Sequence, residues 1–250
     1  MFVQERHQVI KKIIRKYRRL SFTQLQKLVD VSPATLRRDL VDLEKSGEIL
    51  RVHGGVLDPS YVRSEVSFDE RVLRHGKAKK RIASQAVALI PPESSVFVDA
   101  GSTCLEAGKM LLSRKDIRII THSVALTALS LHGQAEFLCI GGDLRRVSGA
   151  LVGGNALGAL SMIRADFALM GTTGLDMEGC STTELSEAEI KKTILARCRR
   201  NILLSDSTKW NQPSVIQFAK WDTLHDWITD KSPSSTVRKM LKKLGVTVRY

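Results

Sequence analysis

The chain is poor in the residues that build metal, redox or membrane sites. It has four cysteines, Cys104, Cys139, Cys180 and Cys198, and no two of them form a Cys-x-x-Cys pair. No histidine clusters with them, which argues against a structural zinc site, and no metal is expected. Cysteines spaced this widely are read as reduced, mostly buried thiols of a cytoplasmic protein. No apolar run is long enough for a membrane-spanning helix, and no lipidation motif is present, so no membrane partner is expected. The start, Met1-Phe2-Val3-Gln4-Glu5-Arg6, turns charged at once and does not read as a signal peptide. Gly153-Gly154-Asn155-Ala156-Leu157-Gly158 lacks the second glycine of a GxGxxG fingerprint. A dinucleotide site is therefore not supported, and no cofactor is expected. No solenoid-period repeat and no low-complexity tract appears.

What remains is a chain of 250 residues, 43% of them hydrophobic, ample for a real core. Its net charge of +13 is unevenly spread. Residues 1–81 hold 19 Lys and Arg against 10 Asp and Glu, so the first third carries +9 of the total. That asymmetry favours an N-terminal module that binds a polyanion.

Within that module, Ser32-Pro33-Ala34-Thr35-Leu36-Arg37-Arg38-Asp39-Leu40 reads as the opening of a helix. Ser32 can cap it and Pro33 suits the first helical position. Leu36, Leu40 and Leu43 recur as one apolar stripe, with Ala34 and Val41 near it. Arg38 points away from the stripe and Arg37 flanks it. Gly47 supplies the stop. A basic amphipathic helix over residues 4–19 and a second over Phe22–Val29 precede it, so the pattern is helix-turn-helix. Apolar runs on either side of Gly54-Gly55 then predict a hairpin, a wing that carries Arg51 and His53. Arginines on such a helix can reach phosphates or guanine edges in a major groove.

Residues 58–75 read as a linker, in which Phe68-Asp69-Glu70-Arg71 docks onto the domain that follows. From Lys77 onward helices alternate with short apolar strands at Val96–Val98, Ile117–Ile120, Phe137–Ile140, Phe167–Met170, Ile202–Leu204 and Trp227–Ile228. This is the pattern of an α/β domain with a mostly parallel sheet. Polar loops follow the strands: Asp99-Ala100-Gly101-Ser102-Thr103, Thr121-His122-Ser123, Gly141-Gly142-Asp143, Gly171-Thr172-Thr173-Gly174 and Asp206-Ser207-Thr208-Lys209. Ligands of open α/β sheets bind outside these strand ends. A Gly-Ser-Thr turn entering a helix suits a phosphate. Asp99 and Asp206 can accept bonds from sugar hydroxyls, and Lys209 supplies a point charge. The Gly141-Gly142 pair also reads as a plain hairpin turn.

The block Ser32, Thr35, Leu36, Arg37, Arg38, Asp39, Leu40, with Arg6, Ile10 and Ile14 before it and Arg51-Val52-His53-Gly54-Gly55 after it, resembles the DeoR-type family of bacterial transcriptional regulators. The resemblance extends over nearly the whole chain. Asp99, Gly101 and Thr103 match its Asp-x-Gly-Thr-Thr pattern, with Ser102 departing. Thr121-His122-Ser123 stands where the family has Thr-Asn-Ser. Gly141 and Gly142 match its glycine pair. Ser186, Glu187 and Lys191 match loosely a helical segment, and Asp206-Ser207-Thr208-Lys209-Trp210 a final loop.

The resemblance implies a winged helix-turn-helix domain at 1–57. It also implies an effector and oligomerisation domain at 76–250, similar in fold to ribose-5-phosphate isomerases. It implies a non-enzymatic regulator, a homodimer or homotetramer, that represses a carbohydrate-utilisation operon. Double-stranded operator DNA would meet Ser32, Thr35, Arg37, Arg38, Arg51 and His53. A phosphorylated sugar would meet Asp99, Gly101, Ser102, Thr103, Thr121, His122, Ser123, Gly141, Gly142, Glu187, Lys191, Asp206 and Lys209. Two rivals stay open. One is a sugar-phosphate isomerase fused to a DNA-binding domain, with Asp99 or Glu187 as base and Lys209 as electrophile. The other is a redox sensor that uses Cys104 at a helix start.

Overall fold

Three leucines on one helix decide how the N-terminal residues pack. A computed structural model describes residues 3–17, 19–52, 55–58 and 66–250. The chain divides into two units, Met1–Glu65 and Val66–Tyr250. The first contains α1 (Val3–Tyr17), β1 (Arg19–Ser21), α2 (Phe22–Leu28), α3 (Pro33–Lys45), β2 (Leu50–Val52) and β3 (Gly55–Leu57). Leu36, Leu40 and Leu43 of α3 are buried with Ile10 and Ile14 of α1, Leu25 of α2, and Ile49 and Val56. The Ser32 hydroxyl accepts the Thr35 N–H at 3.1 Å, and Pro33 opens α3. Gly47, at φ +70°, follows its end in the left-handed region where a side chain is strained. Ala34 is exposed and Val41 only half-buried, so the apolar stripe is narrower than expected.

The first helix stops at Tyr17 rather than running to 19. Arg19–Ser21 instead pairs with β3, placing Leu20 opposite Val56 in a sheet of order β1-β3-β2. The chain must leave α1 early because Ser21 has a different task. Its hydroxyl accepts the Gln24 N–H, and the Gln24 side chain returns the bond to Ser21 N–H, a reciprocal cap on α2. Asp39 and Asp58 are buried carboxylates of this unit. Asp39 of α3 takes a fork of two bonds from Arg6 of α1, at 2.5 and 2.8 Å, and lies 3.2 Å from His7. These bonds hold its carboxyl below the usual range.

The second unit opens with α4 (Phe68–Leu73) and α5 (Gly76–Val87). The expectation of a linker through residue 75 is corrected here. Phe68 and Val72 pack against the core of this unit, and Phe68 N–H donates to Val147 O at 2.8 Å. An apolar pair at i and i+4 on a short capped helix was enough to recruit the segment.

Seven parallel strands follow in the order β15-β14-β12-β9-β4-β5-β6. They are β4 (Ser95–Val98), β5 (Arg118–Thr121), β6 (Glu136–Cys139), β9 (Ala165–Met170), β12 (Cys198–Leu204), β14 (Asp226–Ile228) and β15 (Thr247–Arg249). Val96 and Val98 face one core and Phe97 the other, as a strand buried on both sides requires. The helices are α6 (Ser102–Leu111), α7 (Val124–Ser130), α8 (Gly154–Met162), α9 (Leu185–Arg197) and α10 (Ser235–Lys243). A hairpin of β7 (Asp143–Arg145) and β8 (Ala150–Val152) follows β6. A small antiparallel sheet of β10 (Gly174–Leu175), β11 (Gly179–Thr182) and β13 (Ile216–Lys220) was not anticipated. Two of its strands, β10 and β11, are short and begin at glycines, so they show no alternation. Gly179 is required there, because a Cβ would come within 2.0 Å of Ala219 O.

The order of the strands matters most for the site. The chain moves from β4 through β5 to β6 on one side, then returns to place β9 on the other side of β4. The loops after β4 and β9 therefore diverge, and a crevice opens between them.

Leu40→Ala should destabilise the first unit by about 2–5 kcal/mol, the usual cost of a buried leucine truncation. Arg38→Ala, on the exposed face, should change stability by less than about 0.5 kcal/mol. Urea melts followed by circular dichroism check both.

Candidate functional site

Asp99 ends β4 and is 1% exposed. Its Oδ1 lies 2.9 Å from His122 Nε2, and its Oδ2 accepts the Gly171 N–H at 2.8 Å and a bond from Lys191 Nζ. Burial alone would raise its pKa, but Lys191 and His122 outweigh that and hold the carboxyl far below the usual range. Lys191 gains in return: burial would lower its pKa, and Asp99 with Glu187 raises it. His122 Nδ1 also lies 3.0 Å from Leu151 O, and its Nε2 lies 3.2 Å from the Ala100 nitrogen. Asp99 thus joins the ends of β4, β5 and β9 to α9. Its acceptor positions are taken up by the protein, so it does not offer the free oxygen for a sugar that the sequence suggested.

Glu187 stands one turn before Lys191 on α9 and faces the same way. Its Oε1 accepts from Arg145 at 3.0 Å and its Oε2 from the Thr182 hydroxyl at 2.9 Å. Burial raises its pKa, and Lys191, Ser148 and Arg145 more than compensate.

These groups border a cavity of about 140 Å³ at the switch between β4 and β9, room for on the order of ten waters. Asp99, Gly101, Ser102, Thr103, His122, Glu187, Lys191, Asp206 and Lys209 all line it. Thr121, Ser123, Gly141 and Gly142 do not. Thr121 is buried and bonds Val98 O, and Ser123 caps α7. Gly142 serves the hairpin: at φ +146°, a Cβ there would meet Val152 O at 2.5 Å.

The opposite wall was missed. Arg71 of α4, Arg74 and His75 after it, and Lys79 of α5 line it beside Lys209. Arg71 Nε and one of its terminal nitrogens are buried with no hydrogen-bond partner. Lys79 is 4% exposed and donates to Arg71 O. Burial lowers the pKa of both Lys79 and Lys209, and Asp206 offsets this only in part. Among the described residues neither ammonium forms an ion pair. Gly101 gives α6 no side-chain cap, so the first amides of that helix, from Ser102 and Thr103, also face the cavity unbonded by a cap. One signal for Lys79 lay in the sequence. It falls three and four residues before Ile82 and Ala83, a charge on the buried stripe of its helix.

In the first unit Arg37 and Arg38 are exposed on α3. Arg37 sits 5.1 Å over the Phe22 ring, which holds it at the α2–α3 corner. The Ser32 and Thr35 hydroxyls are 2.7 Å apart in the cap. Arg51 lies 3.5 Å from Glu44. His53 is outside the described residues.

Cys104 does not fit the redox expectation. It is fully buried, and burial together with nearby Asp99 pushes its thiol well above the ordinary value. The helix start beside it does not reverse that, because the carboxylate is closer in effect than the backbone dipole. No described helix is long and apolar enough to cross a membrane.

Lys191→Met should destabilise the second unit by about 3–5 kcal/mol, because it strands a buried carboxylate. The same pair sets the pH response. Asp99's folded pKa is depressed, so its contribution is complete above about pH 4 and is lost as pH falls further. Thermal melts between pH 7 and pH 3 check the direction, and Lys191→Met should flatten the slope.

Residues 6–60 match the DeoR-like helix-turn-helix domain, and residues 74–231 match the DeoR C terminal sensor domain. The HTH-type transcriptional regulator GlpR of Haloferax volcanii is 32% identical over 87% of this chain and 86% of its own. The glycerol-3-phosphate regulon repressor of Escherichia coli (strain K12) is 29% identical over 95% of this chain and 94% of its own. A D-ribose-5-phosphate isomerase solved in complex with phospho-erythronic acid overlaps 54% of each chain, at 18% identity and a TM-score of 0.41. With its helix-turn-helix and sensor regions both matched in order, the chain belongs to the DeoR family of transcriptional regulators.

Proposed function

We propose that this regulator is a repressor of carbohydrate-utilisation genes, released from operator DNA by a phosphorylated sugar. The observation that carries the effector half is the cationic wall. Arg71, Lys79 and Lys209 line the cavity without an ion pair among the described residues, Asp206 being the carboxylate that offsets the burial of the two lysines only in part, and Arg71 keeps buried donors unbonded. Unsatisfied buried donors are costly, and a phosphate dianion would satisfy them together with the uncapped start of α6. The sugar would then lie toward Thr172, Thr173 and Ser148.

The DNA half rests on α3. Its apolar back is locked by Leu36, Leu40 and Leu43, and its front offers Arg37 and Arg38. A homodimer or homotetramer would place two such helices about 34 Å apart, or a multiple of that. Arg51 and His53 of the wing would meet the backbone. Arg71 belongs to α4, the first described helix of the second unit, and Arg74 follows its end. Occupancy would reach the DNA-binding domain through that helix, because only a ligand with unequal affinity for two arrangements shifts their balance.

The enzyme reading has less support. An isomerase base must be free to take a carbon-bound proton. Asp99 and Glu187 are both held ionised with their oxygens engaged by protein donors.

Lys209→Gln should leave operator affinity within about twofold and abolish release by the sugar phosphate. Trp210, stacked 5.5 Å from Trp227 beside Lys209, gives a fluorescence readout of binding. A normal response of this variant would remove Lys209 from the site. Arg38→Ala should weaken operator binding by about 1–3 kcal/mol, concentrated at one base pair if it reads a base and uniform across sequences if it holds a phosphate. Gel shifts on a panel of operator variants separate the two.

A further inference from the structure

The positive charge of the second unit is concentrated at its end. Residues 66–230 hold 20 Lys and Arg against 18 Asp and Glu, close to balance, whereas residues 231–250 hold six and none. Four of the six stand on α10, a helix of nine residues. At about 100° per residue, Arg238, Lys242, Lys239 and Lys243 fall on one contiguous face. Val237 and Leu241 lie on the other side and are buried in the core of this unit, with Met240 packed against it. The apolar back fixes which face points out, and all four cations are exposed.

Several cations elsewhere on the unit's surface face acids. Arg114 pairs with Asp116, Arg118 with Glu136, and Arg200 and Arg249 share Asp226. Among the described residues, none of the four on α10 has a carboxylate partner. Arg238 reaches a neutral group, the Tyr250 hydroxyl, at 3.3 Å. Helix stability does not account for the pattern. Lys242 and Lys243 suit the last turn, where the helix dipole is negative. Arg238 stands near the positive end instead. Arg238 with Lys242, and Lys239 with Lys243, are like charges four residues apart, which destabilises a helix. A face that gathers repelling charges on a firmly seated back, with no acids among them, is complementary to a polyanion.

Resting on the DNA-binding reading of the first unit, we infer that this face of α10 binds the phosphate backbone of duplex DNA, as a second and sequence-independent contact beside that of α3. The helix-turn-helix supplies the polyanion. DNA held by one unit of a chain stands at high effective concentration for the other. Phosphate contacts need charge and reach rather than the geometry of a base edge, and lysines on flexible stems provide both. An anionic membrane is the rival polyanion. A helix that lies on a membrane inserts its apolar face, and here that face is buried in protein.

The test uses the full-length protein and a fluorescein-labelled duplex of random sequence, with affinity followed by anisotropy between about 50 and 200 mM salt. Each phosphate contact removed lowers the magnitude of the slope of log K against log salt by about 0.9. The variant Arg238→Gln/Lys239→Gln/Lys242→Gln/Lys243→Gln is expected to lower it by about two to four, and to weaken binding at the lower salt at least tenfold. A control, Lys115→Gln/Arg164→Gln/Lys192→Gln/Lys220→Gln, removes the same charge from exposed positions elsewhere on the unit. It is expected to change the slope by less than about one. Both variants keep Val237 and Leu241, and thermal melting checks their fold. Should the α10 variant not fold, Lys239→Gln/Lys243→Gln reads half the change. An α10 variant whose slope and affinity equal those of the wild type, or of the control, overturns the inference and leaves the α3 reading intact. Binding to phosphatidylserine vesicles that the α10 variant loses, with its DNA slope unchanged, assigns the face to lipid and overturns the inference as well. A wild type that binds no duplex removes the α3 reading and the inference together.

Discussion

A carboxylate buried at the point where the sheet reverses direction organises the whole C-terminal unit. Removing Asp99 from water is expensive, and the cost is met only because Lys191, His122 and the Gly171 N–H converge on it. Each donor comes from a different segment. The loops after β5 and β9 and the middle of α9 are therefore tied to the loop after β4 by one residue. A change in any of these would leave a charge uncompensated, which is why this floor of the cavity has one arrangement. It also means that the two carboxylates lining the cavity are each already engaged by the fold.

With its floor neutralised, the cavity's field comes from the opposite wall. Lys79 and Lys209 are desolvated and form no ion pair among the described residues, and burial has lowered the pKa of both despite the opposing pull of Asp206. A folded protein tolerates such groups at a cost to stability, and an anion that enters removes the cost. The two walls thus divide the work. One is balanced and rigid and holds the shape. The other is unbalanced and, on the reading proposed above, would supply the affinity.

How much of this was legible in the sequence follows the range of the interactions. Local signals were strong. Ser32-Pro33 with the leucine stripe marked α3, and the short apolar runs located six of the seven strands of the parallel sheet to within a few residues. The loops after β4, β9 and β12 were identified as cavity loops because strand ends converge whatever the details. What was lost depends on pairing across long separations. Asp99 reads as a free acceptor until Lys191, 92 positions away, is seen to occupy it. Arg71 and Arg74 were assigned to a linker because a six-residue helix has too little periodicity to register. Thr121 and Ser123 lie in the right loop, but their hydroxyls turn into backbone bonds and caps. The small sheet around Gly174 and Gly179 was invisible because glycine at close backbone approaches erases alternation.

The rigidity of the floor constrains where a signal can originate. To shift a two-state balance from 1:99 to 99:1 a ligand must distinguish the states by about 5.5 kcal/mol. Groups locked around Asp99 make the same contacts in any arrangement that keeps Asp99 buried, so they contribute affinity without discrimination. The discriminating contacts must come from elements held more loosely. α4 meets that condition: it buries none of its residues completely, is anchored by Phe68 to Val147 O, and carries Arg71 with donors still unbonded. The hairpin that supplies Val147 also supplies Arg145 to Glu187, so the two loosely held elements meet the cavity lining at Arg71 and at Glu187. A ligand long enough to engage Arg71 and Glu187 together would fix both, whereas inorganic phosphate would fix only one. On the reading proposed above, that difference in reach, rather than charge alone, would separate a sugar phosphate from inorganic phosphate as an effector.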